Sequence, residues 1–482
     1  PPYMSNRQMN GSLKSYLKEW YPKSKRDLFA VFMEVAEQTA RSAGRLAMIN
    51  QQSWMFLSSF EDLRTQILDT TLIESLLHLG PRTFDEIGGE VVQSTAFALK
   101  NEPPKERAGT YFRLIDENDT SAKKKAFEAG KHRYAAVRQQ EFENIPGAPL
   151  AYWLSEDALD AFRANKSLHE YAIPRAGMIT GDNSRFIRMW PEVDFKKLGI
   201  RLPSREKSAR SSYKWFPYQK GGSYRKWYGN NDFVVNWEND GKDIRNNPSS
   251  HAFNENYIFK ENVSWSSVSN NLSARYNGKG FLFDAGGSAI FPKGDVDIEI
   301  ILAYLNSCVA SRFIIAINPT LNFQPWNVGG LPYKNPKQKI KNSINENLKI
   351  VRRDWDTRET SWDFTQHPLV QQNAPSLEAA YDAWTAQATD DFFQLHANEE
   401  ELNELFIDVY GLEDELSPRV ALDDITILED ELDRDALEEL DDERDELSED
   451  ELRDRLPFKI EVPIRQFLSY GVGVMLGRYR LG

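Results

Sequence analysis

Arg45-Leu-Ala-Met-Ile-Asn50 reads as a short buried strand, and its setting decides the fold. Upstream, Leu28, Phe29, Phe32, Val35, Ala36 and Thr39 recur at helical spacing, which predicts a helix over 25–43 that Gly44 ends. Downstream, Trp54, Phe56, Leu57, Phe60, Leu63 and Ile67 predict a second helix over 53–68. Gly88-Gly89 marks a turn before Val91-Val92-Gln-Ser-Thr-Ala-Phe97, a further strand. A loop followed by helix, strand, helix and strand is the second half of a doubly wound α/β domain, here residues 1–100.

Beyond it the texture changes. Residues 101–150 are polar, with Pro103, Pro104, Pro146 and Pro149, and read as a linker with one helix near 121–141. Residues 151–335 carry short strands, many aromatics and Gly/Asn/Ser turns, an α+β or mostly β module. A helical region follows over 336–415, with helices expected at 337–353 and 376–410 and Ser376 as an N-cap. An acidic segment, 416–457, and a short apolar segment, 458–482, close the chain.

At 482 residues the chain holds more than one domain. No apolar run approaches bilayer length and no signal peptide is visible, so a cytoplasmic protein without a membrane partner is expected. The single cysteine, Cys308, lies in an apolar helical run and reads as a small buried hydrophobe. The six histidines show no metal-ligand spacing, so no metal site is expected. The net charge of −14 is unevenly spread: residues 399–455 hold 26 acids against 5 bases, leaving the remainder at +7. A mildly basic body with an acidic tract attached fits a nucleic-acid binder better than the total does.

Three stretches carry chemistry. Pro1-Pro2-Tyr3-Met4 matches a loop of amino-methyltransferases, in which a polar residue and the first proline carbonyl accept hydrogen bonds from the exocyclic amine of a flipped base. The aromatic ring stacks on that base, and proline fixes the loop. Taken alone, the triplet also reads as a frayed or polyproline end. The second stretch, 196–226, has ten bases and one acid, Glu206, interleaved with aromatics around Gly221-Gly222. Its expected DNA contacts are Lys207, Arg210, Lys214, Trp215, Tyr218, Lys220, Arg225, Lys226 and Trp227, against the alternative of a surface-exposed basic hairpin with core aromatics. The third, Arg175 to Phe186, offers Thr180, Asp182 and Asn183 as DNA contacts; alternatively Asp182 and Asn183 form an Asx turn, with Gly177 and Gly181 permitting tight backbone. Gly278-Lys-Gly280 lacks the spacing of a phosphate loop. The leucines of the acidic tract are only loosely helical in spacing, which predicts a solvated helix or linker.

Taken together the chain resembles the PglX-type adenine-specific DNA methyltransferases of BREX phage-defence systems. The resemblance is carried by Pro1-Pro2-Tyr3-Met4-Ser5, Phe84 to Val92, Gly177 to Asn183, Lys214 to Gly222, Arg225 to Asn230, Leu305-Asn306, Asn318 to Phe323 and Gly473 to Tyr479. It implies N6-adenine methylation of double-stranded DNA with S-adenosyl-L-methionine, alongside other phage-defence proteins. Pro1, Pro2 and Tyr3 would be catalytic, and 151–335 the target-recognition domain. The family's cofactor loop and polar motif residue are expected upstream of Pro1, so this polypeptide is expected to be a piece of a longer protein, inactive alone. The alternative is a non-catalytic DNA-recognition or specificity subunit. A fused nuclease is disfavoured, because no carboxylate cluster with a lysine stands out.

Overall fold

The computed structural model describes residues 1–84, 92–251, 254–336 and 340–479. They fall into two units, Pro1–Asn165 with Phe313–Pro319, and Lys166–Arg312 with Thr320–Gly482. The architecture is mixed α/β.

The first unit runs α1 (Gly11–Trp20), α2 (Leu28–Thr39), β1 (Arg45–Gln51), α3 (Glu61–Thr70), β2 (Leu72–Gly80), β3 (Ser94–Lys100), β4 (Gly109–Arg113), α4 (Thr120–Glu128), β5 (Arg133–Val137) and α5 (Glu156–Ala164). Its five-stranded sheet has the order β1-β3-β2-β4-β5. Strand β3 is antiparallel to both neighbours, so β1 and β2 run the same way, joined through α3. Strand β2 pairs parallel with β4, and β4 antiparallel with β5. The apolar stripes that predicted α2 and α3 meet the sheet in one core of Phe29, Trp54, Leu63, Ile73, Leu76, Phe97 and Tyr111. Buried Arg64 ties the chain around that core, donating to the carbonyls of Trp54 (2.8 Å), Leu57 (3.0 Å) and Gly147 (3.0 Å).

Several expectations change here. Residues 101–150 are no linker: β4 and β5 extend the same sheet, and α4 is capped by Asp119. Strand β2 was not read from the sequence. The second helix starts at Glu61, after 3-10 turns over Gln52–Met55 and Ser58–Phe60. The unit extends to Asn165, so α5 belongs with it and not with the module expected from 151. Gly88-Gly89 and Val91 lie outside the described residues.

The second unit holds two four-stranded sheets. One orders β11 (Ala274–Asn277), β10 (Asn262–Trp265), β13 (Ala289–Pro292) and β6 (Ala172–Arg175). The other orders β12 (Leu282–Phe283), β8 (Trp215–Gln219), β9 (Phe233–Asn236) and β7 (Ile187–Met189). Helices Lys341–Asp356 and Leu377–Tyr410 follow. The latter is N-capped by Ser376, whose hydroxyl accepts from the Ala379 amide at 3.2 Å. It ends on Gly411, whose φ of 69° closes the helix.

The acidic tract folds in this unit, against expectation. Helices Arg434–Glu443 and Glu449–Asp454 bury Leu437, Leu440 and Leu452, while Leu422, Ile425, Ile427 and Leu432 fill the core beside them. Part of the charge is internally paired, as in Arg444 with Glu400 at 2.8 Å and Arg419 with Asp445 at 2.7 Å. No helix among the described residues is by itself long and apolar enough to cross a membrane.

Candidate functional site

The loop that begins Pro1-Pro2-Tyr3 is fastened to the start of α2. The Met4 amide donates to Asp27 Oδ1 at 3.1 Å, and the Leu28 amide to the Met4 carbonyl at 3.1 Å. The same Asp27 carboxylate caps α2 through the Phe29 amide at 3.4 Å. One aspartate therefore sets both the helix and the loop. Tyr3 lies 6.2 Å from Phe29, ring centre to ring centre, yet is 45% exposed. Partial burial, helped by the Asp27 carboxylate, raises the phenol pKa, so Tyr3 stays neutral at physiological pH. Pro1 and Pro2 are exposed as well. Pro1, Pro2 and Tyr3 thus lie exposed on a loop fixed at Met4.

A second set of polar groups lies inside this unit. His78 on β2 is 2% exposed; its Nδ1 is 3.1 Å from the Tyr152 hydroxyl and its Nε2 2.8 Å from Gln52 Oε1. Burial, together with the cations Arg113 and Lys123, pushes its pKa down to about 3. The ring is therefore a neutral hydrogen-bonding element.

In the second unit the basic strip divides. Lys207 and Arg210 are exposed; Lys214, Trp215 and Lys220 are half-buried, with Lys214 Nζ 5.7 Å from the Trp215 ring centre and Lys220 Nζ 5.4 Å from that of Phe233. The other four expected contacts are interior. Tyr218 donates to Asp284 Oδ2 at 2.8 Å. Arg225, 0% exposed, donates to Asp354 Oδ2 at 2.7 Å and to the Tyr228 carbonyl at 2.8 Å, with Trp355 against its guanidinium. Lys226 Nζ and Trp227 Nε1 both donate to Glu399, each at 2.7 Å. A phosphate cannot reach side chains so enclosed and so paired. The assignment of Tyr218, Arg225, Lys226 and Trp227 to DNA is corrected: all four are core residues, so the aromatics are interior as the alternative had it, but Arg225 and Lys226 are buried ion-paired bases and not an exposed basic hairpin.

Of the third stretch, Thr180 is buried and donates to Asn183 Oδ1 at 2.6 Å. Asp182 caps the short helix Asn183–Phe186 through the Arg185 amide at 3.1 Å. This is the local turn, with Asp182 and Asn183 exposed. Gly177 is required by crowding, since a Cβ there would sit 2.0 Å from the Phe283 carbonyl oxygen. Cys308 is half-buried, and that burial pushes its thiol up to about 11, which disfavours the thiolate.

Comparison with known proteins adds a frame. Residues 1–84 match the family model of the Eco57I restriction-modification methylase. The chain is 38% identical over 501 aligned residues to the adenine-specific methyltransferase PglX of Lacticaseibacillus casei (strain Zhang), covering 100% of the chain and 39% of that protein. It is 34% identical to the adenine-specific methyltransferase BrxX of Escherichia coli O9:H4 (strain HS), covering 100% of the chain and 38% of the relative. Among solved structures, the Type IIL restriction-modification enzyme MmeI in complex with DNA aligns with 87% of the chain and 54% of its own, at 12% identity and a TM-score of 0.48; so distant a likeness carries no argument. The chain spans about two fifths of the curated relatives' length, and over all of its own length it is similar to these two proteins.

Proposed function

We propose that the chain is part of an adenine-specific DNA methyltransferase that moves a methyl group from S-adenosyl-L-methionine to N6 of a flipped adenine in double-stranded DNA. The observation that carries this is the exposed Tyr3 on a loop held by Asp27, inside the segment that matches a methylase family. In this reading the first unit is the second half of a doubly wound catalytic domain, and the second unit includes the target-recognition region. Work in the cytoplasm, with other phage-defence proteins, follows from the same relationship.

Among the described residues, the two strand-to-helix turns do not make a donor pocket. The strand-to-helix turns leading into α3 (52–60) and α4 (114–119) contain no glycine, where an adenosyl donor calls for a close backbone approach. What this chain supplies is the base side: Tyr3 stacks on the extruded adenine, and the Pro1 carbonyl accepts from its amine, aiming the nitrogen lone pair at the donor methyl. Lys207, Arg210, Lys214 and Lys220, with Trp215 and the exposed Asp182 and Asn183, remain the DNA-facing candidates of the second unit.

Base stacking on an aromatic side chain contributes ~1–3 kcal/mol. Tyr3→Ala in the full-length protein should therefore lower methylation kcat/KM by about 5- to 150-fold, with Tyr3→Phe close to wild type. The assay is methyl transfer to duplex DNA; wild-type rates in Tyr3→Ala would remove Tyr3 from the site.

A further inference from the structure

We propose that the turn Lys23–Arg26, together with Trp20, is a second DNA contact that holds backbone phosphates beside the target base. It rests on the methyltransferase reading and adds a surface to it.

The turn is stitched to the motif loop. The Asn6 amide donates to the Arg26 carbonyl at 2.9 Å, and Asn6 Nδ2 to the Lys25 carbonyl at 3.2 Å. Ser5 and Asp27 form an isolated antiparallel bridge. The turn that carries three bases in four residues is thus tied, through the Lys25 and Arg26 carbonyls, to the segment that follows Tyr3. The turn is also preorganised from below: Ser24 is 0% exposed, and its hydroxyl donates to the buried Glu34 carboxylate at 2.6 Å. Such anchoring reduces the ordering cost of a contact.

Its charges are unspent. Arg45, Arg107, Arg113 and Arg163 of the same unit each pair with a carboxylate. Among the described residues, none of Lys23, Lys25 and Arg26 makes an ion pair. Residues 1–27 hold six bases and two acids, Glu19 and Asp27, and Asp27 is occupied by the Met4 and Phe29 amides. Trp20 is 61% exposed and Tyr16 52%, their ring centres 6.5 Å apart on the outer side of α1, whose Leu17 packs inward with Met9 and Val31. Tryptophan is among the residues most buried on average, so one this exposed beside unpaired bases marks a contact surface. A polyanion with apolar sugar edges complements both features. With Arg225 and Lys226 withdrawn into the core, phosphate contacts must come from bases that remain free, and this trio is adjacent to the chemistry.

The test is DNA binding across a salt series by the full-length protein, with Lys23, Lys25 and Arg26 replaced together by alanine, and with Trp20→Ala separately. Each phosphate contact contributes about −0.9 to the slope of log K against log salt. The triple variant should flatten that slope by about 2 to 3 and weaken binding at least about tenfold at physiological salt, with the thermal midpoint unchanged. Trp20→Ala should weaken binding by about fivefold at an unaltered slope. An unchanged slope and affinity in the triple variant, alongside a wild type that methylates DNA, overturns this contact and leaves the enzyme reading standing. A folded wild type that neither binds nor methylates DNA overturns both.

Discussion

Glu399→Ala will destabilise the second unit by about 3–5 kcal/mol, the largest effect expected of any single substitution considered. The carboxylate of Glu399 takes the Lys226 ammonium and the Trp227 indole N–H at 2.7 Å each, and the side chains of Lys226 and Glu399 are only 7% and 5% exposed. Burial alone would lower the lysine pKa; the neighbouring carboxylate outweighs it and the net shift is upward, so the ammonium stays charged. Removing the acid leaves an ammonium and an indole N–H in the interior with no acceptor, and that desolvation cost sets the size of the effect. The thermal midpoint should fall by roughly 6–10 °C. A double variant, Lys226→Met with Glu399→Leu, should recover most of the loss, because a buried pair is replaced by apolar volume. A Glu399→Ala protein that melts with wild type would sink this account. The same pair distinguishes a core lysine from a DNA-contacting one: a phosphate ligand would change the salt dependence of binding without touching stability.

This position shows where the sequence stops being informative. Lys226 and Arg225 stand in a run rich in bases, and charge counting gives them to DNA. Their partners, Glu399 and Asp354, lie 173 and 129 residues away. Local composition reports charge and not burial, and a neutralising carboxylate at that distance leaves no mark on the run. The acidic tract misled in the complementary way. Its leucines are spread over two short helices and the turns between them, so no single period emerges although Leu422, Leu432 and Leu437 are fully buried.

What could be read was what is encoded within a turn or two of chain. Helix α2 and the helix capped by Ser376 follow from apolar spacing and a short polar cap, and β1 from its run after Gly44, although β1 is an edge strand with only Leu46 and Asn50 buried and not the buried strand its run suggests. Strand β2 was missed because Leu72-Ile-Glu-Ser-Leu-Leu-His-Leu-Gly80 follows a helix without a breaker and its leucines suit either period. Strands β4 and β5 were hidden by charged and proline-rich surroundings. β5 lies at the sheet edge, with Arg133, Ala135 and Ala136 exposed, and carries little apolar alternation to be seen. The motif loop was legible as chemistry, whereas its anchor was not: Asp27 is unremarkable until the fold brings it to Met4.

His78 gives the second large effect, one that pH exposes. The imidazole is held neutral between Tyr152 and Gln52, with Arg113 and Lys123 opposing a further positive charge. Its folded pKa is about 3, against the usual 6.5 of an unfolded chain. The folded value is the lower one, so the unfolded chain binds the proton first. This residue's contribution to stability is whole above pH 6.5 and is lost as pH falls toward 3. By pH 4.5, before most carboxylates protonate, the loss should reach about 2–3 kcal/mol. His78→Gln, which keeps hydrogen-bonding capacity without a titrating ring, should cost stability at pH 7 yet lose about that much less between pH 7 and 4.5. Urea unfolding of both proteins at the two pH values measures the difference. Parallel losses in the two proteins, or an imidazole signal titrating near 6.5 in the folded state, would show that His78 is open to solvent. A neutral, twice-bonded ring on β2 instead makes it a fixed strut of the sheet, one that couples the 52–55 turn to Tyr152 in the same core as Phe29, the ring beside Tyr3.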